Sequence, residues 1–129
     1  MTIAVVDAAT VVDLICDLPP GEPYRAHLMA AEALATPAHL DADVLSALGR
    51  LKRAGRLTQE AERVAALRTF KARRWPLRPL LDAAWRLTDR IAVRDALYVA
   101  LAASLDATLV STDGRLRNAA AGIVTIAEP

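Results

Sequence analysis

Four aspartates, Asp7, Asp43, Asp95 and Asp113, stand where apolar segments of the chain begin or end. Asp7 follows Ile3-Ala4-Val5-Val6, and Asp113 follows Thr108-Leu109-Val110-Ser111-Thr112. Both runs are short, β-branched and uninterrupted, so they read as strands buried on both faces. A carboxylate at the exit of such a strand lies at the carboxyl edge of the sheet, where open α/β sheets place their ligands. Carboxylates gathered there repel and raise each other's pKa. A divalent cation is the usual reason to tolerate them, and oxygen ligands favour Mg²⁺ or Mn²⁺. Zinc is disfavoured, because His27 and His39 have no ligand-like spacing and Cys16 is single. With no Gly-rich phosphate loop and no Ser/His/Asp arrangement, the remaining chemistry is mainly phosphoryl transfer or phosphodiester hydrolysis.

Each aspartate also has a purely structural reading. Asp7 and Asp113 suit a turn or an N-cap before a helix. Asp95 begins an apolar segment and would be stabilised by a helix dipole. Asp43 lies three residues after Leu40, at the edge of a buried stripe. Asp41 competes with it, and both suit a helix start. Asp13, Asp17, Asp82, Asp89 and Asp106 have no strand-end context and read as surface charges.

The elements that must position these groups follow from periodicity. Strands are expected at 2–6, 73–76, 108–112 and 123–126, and helices at 8–16, 22–34, 37–54, 58–71, 79–89, 93–105 and 114–120. Thr36-Pro37 supplies an N-cap and a first-turn proline for a helix carrying Leu40, Val44, Leu48 and Leu51 on one face. Thr58 is a candidate cap for the next helix. Pro79 opens a helix with Leu80, Ala84, Leu87 and Ile91 on one face. Ala96 to Ala103 is apolar nearly all round and is expected to be a central buried helix. Strands separated by helices imply a parallel sheet covered by helices.

The 129 residues suit one domain, 1–129, with one core. Hydrophobic content of 54% with 24% charged residues fits a compact soluble protein, and no stretch could span a bilayer. The start lacks the basic residues of a signal peptide, so a cytoplasmic location is expected. One cysteine excludes an internal disulfide, and Cys16 reads as a small buried hydrophobe. Net charge is +1, yet basic residues cluster at 50–56 and 68–78. They suit solvated helix ends or contacts to phosphates.

Three passages together resemble a PIN domain, and specifically the toxin of a VapBC toxin–antitoxin pair. They are Val5-Val6-Asp7-Ala8-Ala9, Leu40-Asp41-Ala42-Asp43-Val44-Leu45-Ser46-Ala47-Leu48, and Asp95-Ala96-Leu97-Tyr98-Val99-Ala100-Leu101-Ala102 continuing to Thr112-Asp113-Gly114-Arg115-Leu116. The resemblance implies a three-layer α/β/α sandwich with a central, mostly parallel sheet. It implies a Mg²⁺- or Mn²⁺-dependent endoribonuclease that pairs as a homodimer and is neutralised by a cognate antitoxin. Operator DNA would be met only through that antitoxin. The family's acidic positions map onto Asp7, Asp43, Asp95 and Asp113, with Thr112 as a supporting hydroxyl. Asp7, Asp95 and Asp113 are expected to be the main metal ligands, and Arg94, Arg115 and Arg117 are candidate RNA contacts.

Two positions depart from the family pattern. Asp43 stands where glutamate is usual, and the missing methylene shortens its reach by about 1.5 Å. Magnesium–oxygen contacts of roughly 2.0–2.1 Å leave little slack. Asp43 would then act through a water, or metal affinity or nuclease activity would be weak. Arg94 stands where the residue is often aromatic or small. It could partly neutralise the acids or hold a phosphate. The alternative function is therefore a catalytically weak PIN domain that mainly binds an antitoxin. A phosphoacceptor signalling domain fits poorly, for it needs an aspartate ending a middle strand and a lysine near the last.

Overall fold

The computed structural model describes residues Met1–Pro129 and forms one five-stranded sheet from β1 (Ile3–Val6), β2 (Ala33–Pro37), β3 (Arg73–Trp75), β4 (Thr108–Val110) and β5 (Thr125–Ile126). The spatial order is β3-β2-β1-β4-β5, and every neighbouring pair is parallel. Seven helices flank it: α1 (Ala8–Ile15), α2 (Glu22–Ala30), α3 (Leu40–Arg53), α4 (Glu60–Arg68), α5 (Leu81–Arg86), α6 (Val93–Ser104) and α7 (Gly114–Ala120). This is the three-layer α/β/α arrangement expected, with a wholly rather than mostly parallel sheet. No helix is long and apolar enough to cross a membrane.

The central strand β1 is buried at Ala4, Val5 and Val6, as a strand covered on both faces should be. Helix α6 packs on β1, β2 and β4 and is buried without a break from Ala96 to Ala102. That burial holds the start of α6, and Asp95 with it, against the sheet. Helix α1 packs on α3 and α4, and α5 packs on α6. Cys16 is free and half-buried, packed against the core.

Strand β2 corrects the sequence reading, which ends one helix at Leu34 and starts another at Pro37 with Thr36 as its cap. Ala33, Leu34 and Ala35 are strong helix formers, and Thr36-Pro37 resembles a helix start. Pairing on both sides overrides those preferences: Ile3, Ala4 and Val5 face Ala33, Leu34 and Ala35, and Arg73, Arg74 and Trp75 face Ala35, Thr36 and Pro37. Thr36 is fully buried and donates its hydroxyl hydrogen to the Val6 carbonyl at 2.9 Å. Pro37 is tolerated because it ends the strand, where its missing N–H interrupts least. Helix α3 therefore begins at Leu40, with His39 as N-cap and no side-chain cap. Its stripe of Leu40, Val44 and Leu48 is buried as expected.

Two further helix starts differ. Helix α4 is preceded by Gln59 at φ 53°, and Thr58 does not cap it. Pro79 lies in a 3-10 turn, Arg78–Leu80, that leads into α5.

Candidate functional site

Asp7 emerges from β1 directly into the N-terminus of α1, so the sheet edge and the helix cap are one position. Its Oδ1 accepts from the Thr10 amide at 3.0 Å and the Thr10 hydroxyl at 2.5 Å, and its Oδ2 accepts from the Ser111 hydroxyl at 2.6 Å. Only 3% of Asp7 is exposed. Burial pushes its pKa up to about 6, against the lowering effect of the Ser111 and Thr10 hydrogen bonds, and the Asp113 charge adds a further rise.

The same two hydroxyls tie the exit of β4 to this carboxylate. The Thr112 amide donates to the Thr10 hydroxyl at 3.0 Å, and the Asp113 amide donates to the Ser111 hydroxyl at 3.1 Å. Asp113 caps α7 by accepting from the Arg115 amide at 2.9 Å. The capping and sheet-edge readings are thus both realised at Asp7 and Asp113. Ser111 and Thr10 were not singled out in the sequence, since hydroxyls in a strand end and a helix are common. The signal available was Thr10 at the third position after Asp7, the spacing at which a cap accepts from the helix. Thr112 reaches Thr10 through its backbone, while its side chain bears on Asp13.

Asp95 lies half-buried in the first turn of α6. Burial raises its pKa, followed by the charges of Asp113 and Asp43, while Arg94 and His39 oppose the rise. Asp7 senses Asp113, and Asp95 senses Asp113 and Asp43, so all four aspartates share one electrostatic neighbourhood.

Asp43 is gripped from three directions. Its Oδ1 accepts from Arg94 Nε at 2.8 Å and from Arg94 Nη2; its Oδ2 accepts from the Tyr98 hydroxyl at 2.9 Å and lies 3.4 Å from His39 Nε2. Burial and the nearby carboxylates hold the Tyr98 phenol far above its ordinary pKa, so it stays a donor. Asp41 faces elsewhere: the Arg74 fork takes both of its oxygens, at 3.2 and 2.8 Å, and joins α3 to β3. The two candidates at the start of α3 are thereby separated in role.

Asp43 and Asp95 line a groove of about 510 Å³ together with Asp13, Arg50, Arg94 and a floor of small residues that includes Ala8, Ala9, Ala47 and Ala92. Asp7 and Asp113 do not line it. The sequence makes Asp13 a surface charge; its place one turn after Ala9 on α1 is the available signal, and burial raises its pKa. The sequence reading likewise gives His39 no role in the site, although it stands one turn before Asp43. Among the arginines, Arg94 lines the groove and Arg115 is exposed. Arg117 is committed to the fold: it donates to the Ser111 carbonyl at 2.9 Å and its guanidinium lies 5.8 Å from the Tyr24 ring centre.

All the candidate donors are carboxylate oxygens whose charges oppose one another, which suits a hard divalent cation. No three acids, histidines or cysteines are placed close enough to form a finished metal shell. A cation would therefore complete its coordination with water or by small side-chain movements, which Mg²⁺ accepts.

Residues 4–122 match the PIN domain family. The chain is 44% identical over 118 residues to Ribonuclease VapC3 of Mycobacterium tuberculosis, covering 89% of this chain and 85% of that protein. Ribonuclease VapC12 of the same organism is 35% identical over 115 residues, covering 87% and 88%. In the fold, the crystal structure of PAE2754 from Pyrobaculum aerophilum aligns with a TM-score of 0.65 and 22% identity, over 97% of this chain and 90% of the other.

Proposed function

We propose, since this chain belongs to the PIN domain family and lies among its VapC ribonucleases, that it is a cytoplasmic endoribonuclease toxin that hydrolyses RNA phosphodiester bonds. The observation that carries the reading is geometric: Asp7 and Asp113 cap the helices that follow β1 and β4, and Asp43 and Asp95, in the first turns of α3 and α6, line a groove that also presents Arg50 and Arg94 and reaches Ala8, the neighbour of Asp7.

Asp7, Asp95 and Asp113 are the residues that would hold Mg²⁺ or Mn²⁺. When bound, such an ion would orient the scissile phosphate and lower the pKa of an attacking water. The chain's own residues do the rest. Thr10 and Ser111 fix both Asp7 oxygens in direction, and buried α6 holds Asp95 against the groove. Arg94 and Arg50 counter the acid charge that would otherwise repel RNA. The test is cleavage of cellular RNA by purified protein free of any partner. Activity should vanish with EDTA and return with Mg²⁺ or Mn²⁺; undiminished cleavage in EDTA would refute the metal-assisted reading.

One observation favours a second reading. The carboxylate of Asp43 is already neutralised by Arg94, which suits a catalytically weak domain acting mainly as an antitoxin-binding module. Absence of metal-stimulated cleavage in the same assay would select it. In both readings a cognate antitoxin is the protein partner, and operator DNA is reached only through it.

The candidate arginines should separate in solution. Arg115→Ala is expected to weaken RNA binding and reduce its salt slope by about one unit or less. Arg117→Ala should instead lower the melting temperature, because it removes the bond to the Ser111 carbonyl. Unchanged affinity and slope for Arg115→Ala would return that residue to a solvated role.

An exposed apolar surface suits pairing as a homodimer. Leu81, Trp85 and Val93 are exposed on α5 and the start of α6, with Trp85 71% exposed, and they border one apolar hollow with Leu97. A contiguous exposed apolar patch of this kind suits a protein–protein contact. Trp85→Glu should give the mass of a single chain in sedimentation; a variant that stays dimeric would move the interface elsewhere.

A further inference from the structure

We propose that Asp43 is a positioning residue rather than a cation ligand: it stands Arg94 in the groove as an internal cation that meets a backbone phosphate of RNA. The inference rests on the nuclease reading for its substrate, and it concerns two residues that depart from the family pattern together.

The geometry of the pair carries the argument. A carboxylate offers about four acceptor sites. At Asp43 two are taken by Nε and Nη2 of Arg94 and a third by the Tyr98 hydroxyl, with the side chain only 10% exposed. Little of it remains to face a cation.

Arg94, by contrast, is held on one edge and open on the other. A guanidinium has five N–H donors, of which Asp43 uses two. The Arg94 side chain is 64% exposed and lines the groove. Its backbone is held as well, because His39 Nε2 lies 2.9 Å from the Arg94 carbonyl, the distance at which the imidazole N–H donates to it. Two residues one turn apart at the start of α3 thus grip the same arginine at its carbonyl and its guanidinium. A planar fork anchored in this way loses little freedom when a phosphate oxygen takes its remaining donors. Arg50 adds a second positive charge to the same groove.

This arrangement predicts a sign opposite to that of simple charge. Removing an acid from a groove should strengthen binding of a polyanion. If Asp43 acts by holding Arg94, removing it should weaken that binding.

The experiment measures two affinities in each of five proteins: wild type, Asp95→Asn, Asp43→Ala, Arg94→Lys and the Asp43→Ala/Arg94→Lys double variant. The probes are Mn²⁺ alone, by calorimetry, and a short single-stranded RNA of mixed sequence in EDTA. Asp95→Asn should lower Mn²⁺ affinity by about tenfold or more, and Asp43→Ala should leave it unchanged. Asp43→Ala, which removes both acceptor oxygens, and Arg94→Lys should each weaken RNA binding by about three- to tenfold, and the double variant should be no weaker than either. Arg94→Lys keeps the charge but cannot make both contacts to Oδ1, so it reports on anchoring. Unchanged Mn²⁺ affinity in the same sample shows that Asp43→Ala is folded.

Loss of Mn²⁺ affinity in Asp43→Ala equal to that in Asp95→Asn would make Asp43 a ligand and overturn the proposal. Unchanged or tighter RNA binding by Asp43→Ala would overturn it too, as would a wild-type protein that does not bind the RNA. A wild type that binds RNA but no Mn²⁺ refutes the metal reading alone, and the RNA arm still decides the role of Asp43, with thermal melting as the check on folding.

Discussion

Asp95→Asn is expected to leave a folded protein that cleaves RNA at less than about a hundredth of the wild-type rate, since on the proposed metal reading the lost ligand would remove several kcal/mol of transition-state stabilisation. The substitution is nearly isosteric and falls in the first turn of α6, whose next seven residues are all buried. The backbone there has nowhere to go. The carboxylate it replaces is opposed by the charges of Asp113 and Asp43, so metal-free stability should hold or rise. Asp113→Asn should behave alike, because its amide oxygen can still accept from the Arg115 amide and cap α7. Initial cleavage rates, paired with thermal melts in EDTA, test both. A well-folded Asp95→Asn protein with full activity would end the catalytic assignment.

Asp7→Asn should lose cleavage and yet gain stability. The folded protein keeps a proton on Asp7 up to about pH 6, whereas an unfolded aspartic acid gives its proton up near pH 4. Between those values the folded state binds more protons, so stability falls as pH rises from about 4 to about 6. Above pH 6 the whole cost of burying the charge is present, on the order of 3 kcal/mol. Asparagine removes that cost. It can still accept from Thr10 through its oxygen, and its amide can donate to the Ser111 hydroxyl. Urea melts in EDTA at pH 5 and pH 7 should show the wild type weakening toward neutral pH and the variant losing much of that slope. Equal slopes in the two proteins would show that Asp7 is not the titrating group. Because the cost falls on the charged form, a cation bound beside Asp7 would offset it, which links metal occupancy to stability.

The legible parts of the fold were those written in local chemistry. β1 and β4 are runs of β-branched residues, α6 is apolar all round, and the aspartates at their ends could be named. β2 was not legible, because Ala33-Leu34-Ala35 prefers a helix and becomes a strand only between β1 and β3. Its absence from the reading also misplaced the start of α3, and with it His39. The contacts that define the site were hidden for a related reason. Tyr98 and Arg94 reach Asp43 across 55 and 51 residues, and Ser111 reaches Asp7 across 104. A hydroxyl or an arginine carries no mark of such a partner until the chain has folded. The exchange of glutamate for Asp43 and the presence of Arg94 were each visible alone. That the two are bonded to each other was not.

The hydrogen bond from Ser111 to Asp7 spans 104 residues, and β1 has its second neighbour only when β4 arrives. A polypeptide is made from its N-terminus at about 5–20 residues per second, so roughly 5–20 seconds separate the synthesis of these two groups. Asp43 and then Asp95 are added during that interval, but the strand that brings Ser111 and Asp113 comes only at its end. On the proposed nuclease reading the site stays incomplete until the stretch that carries Ser111 and Asp113 has been made, so activity would appear late in synthesis.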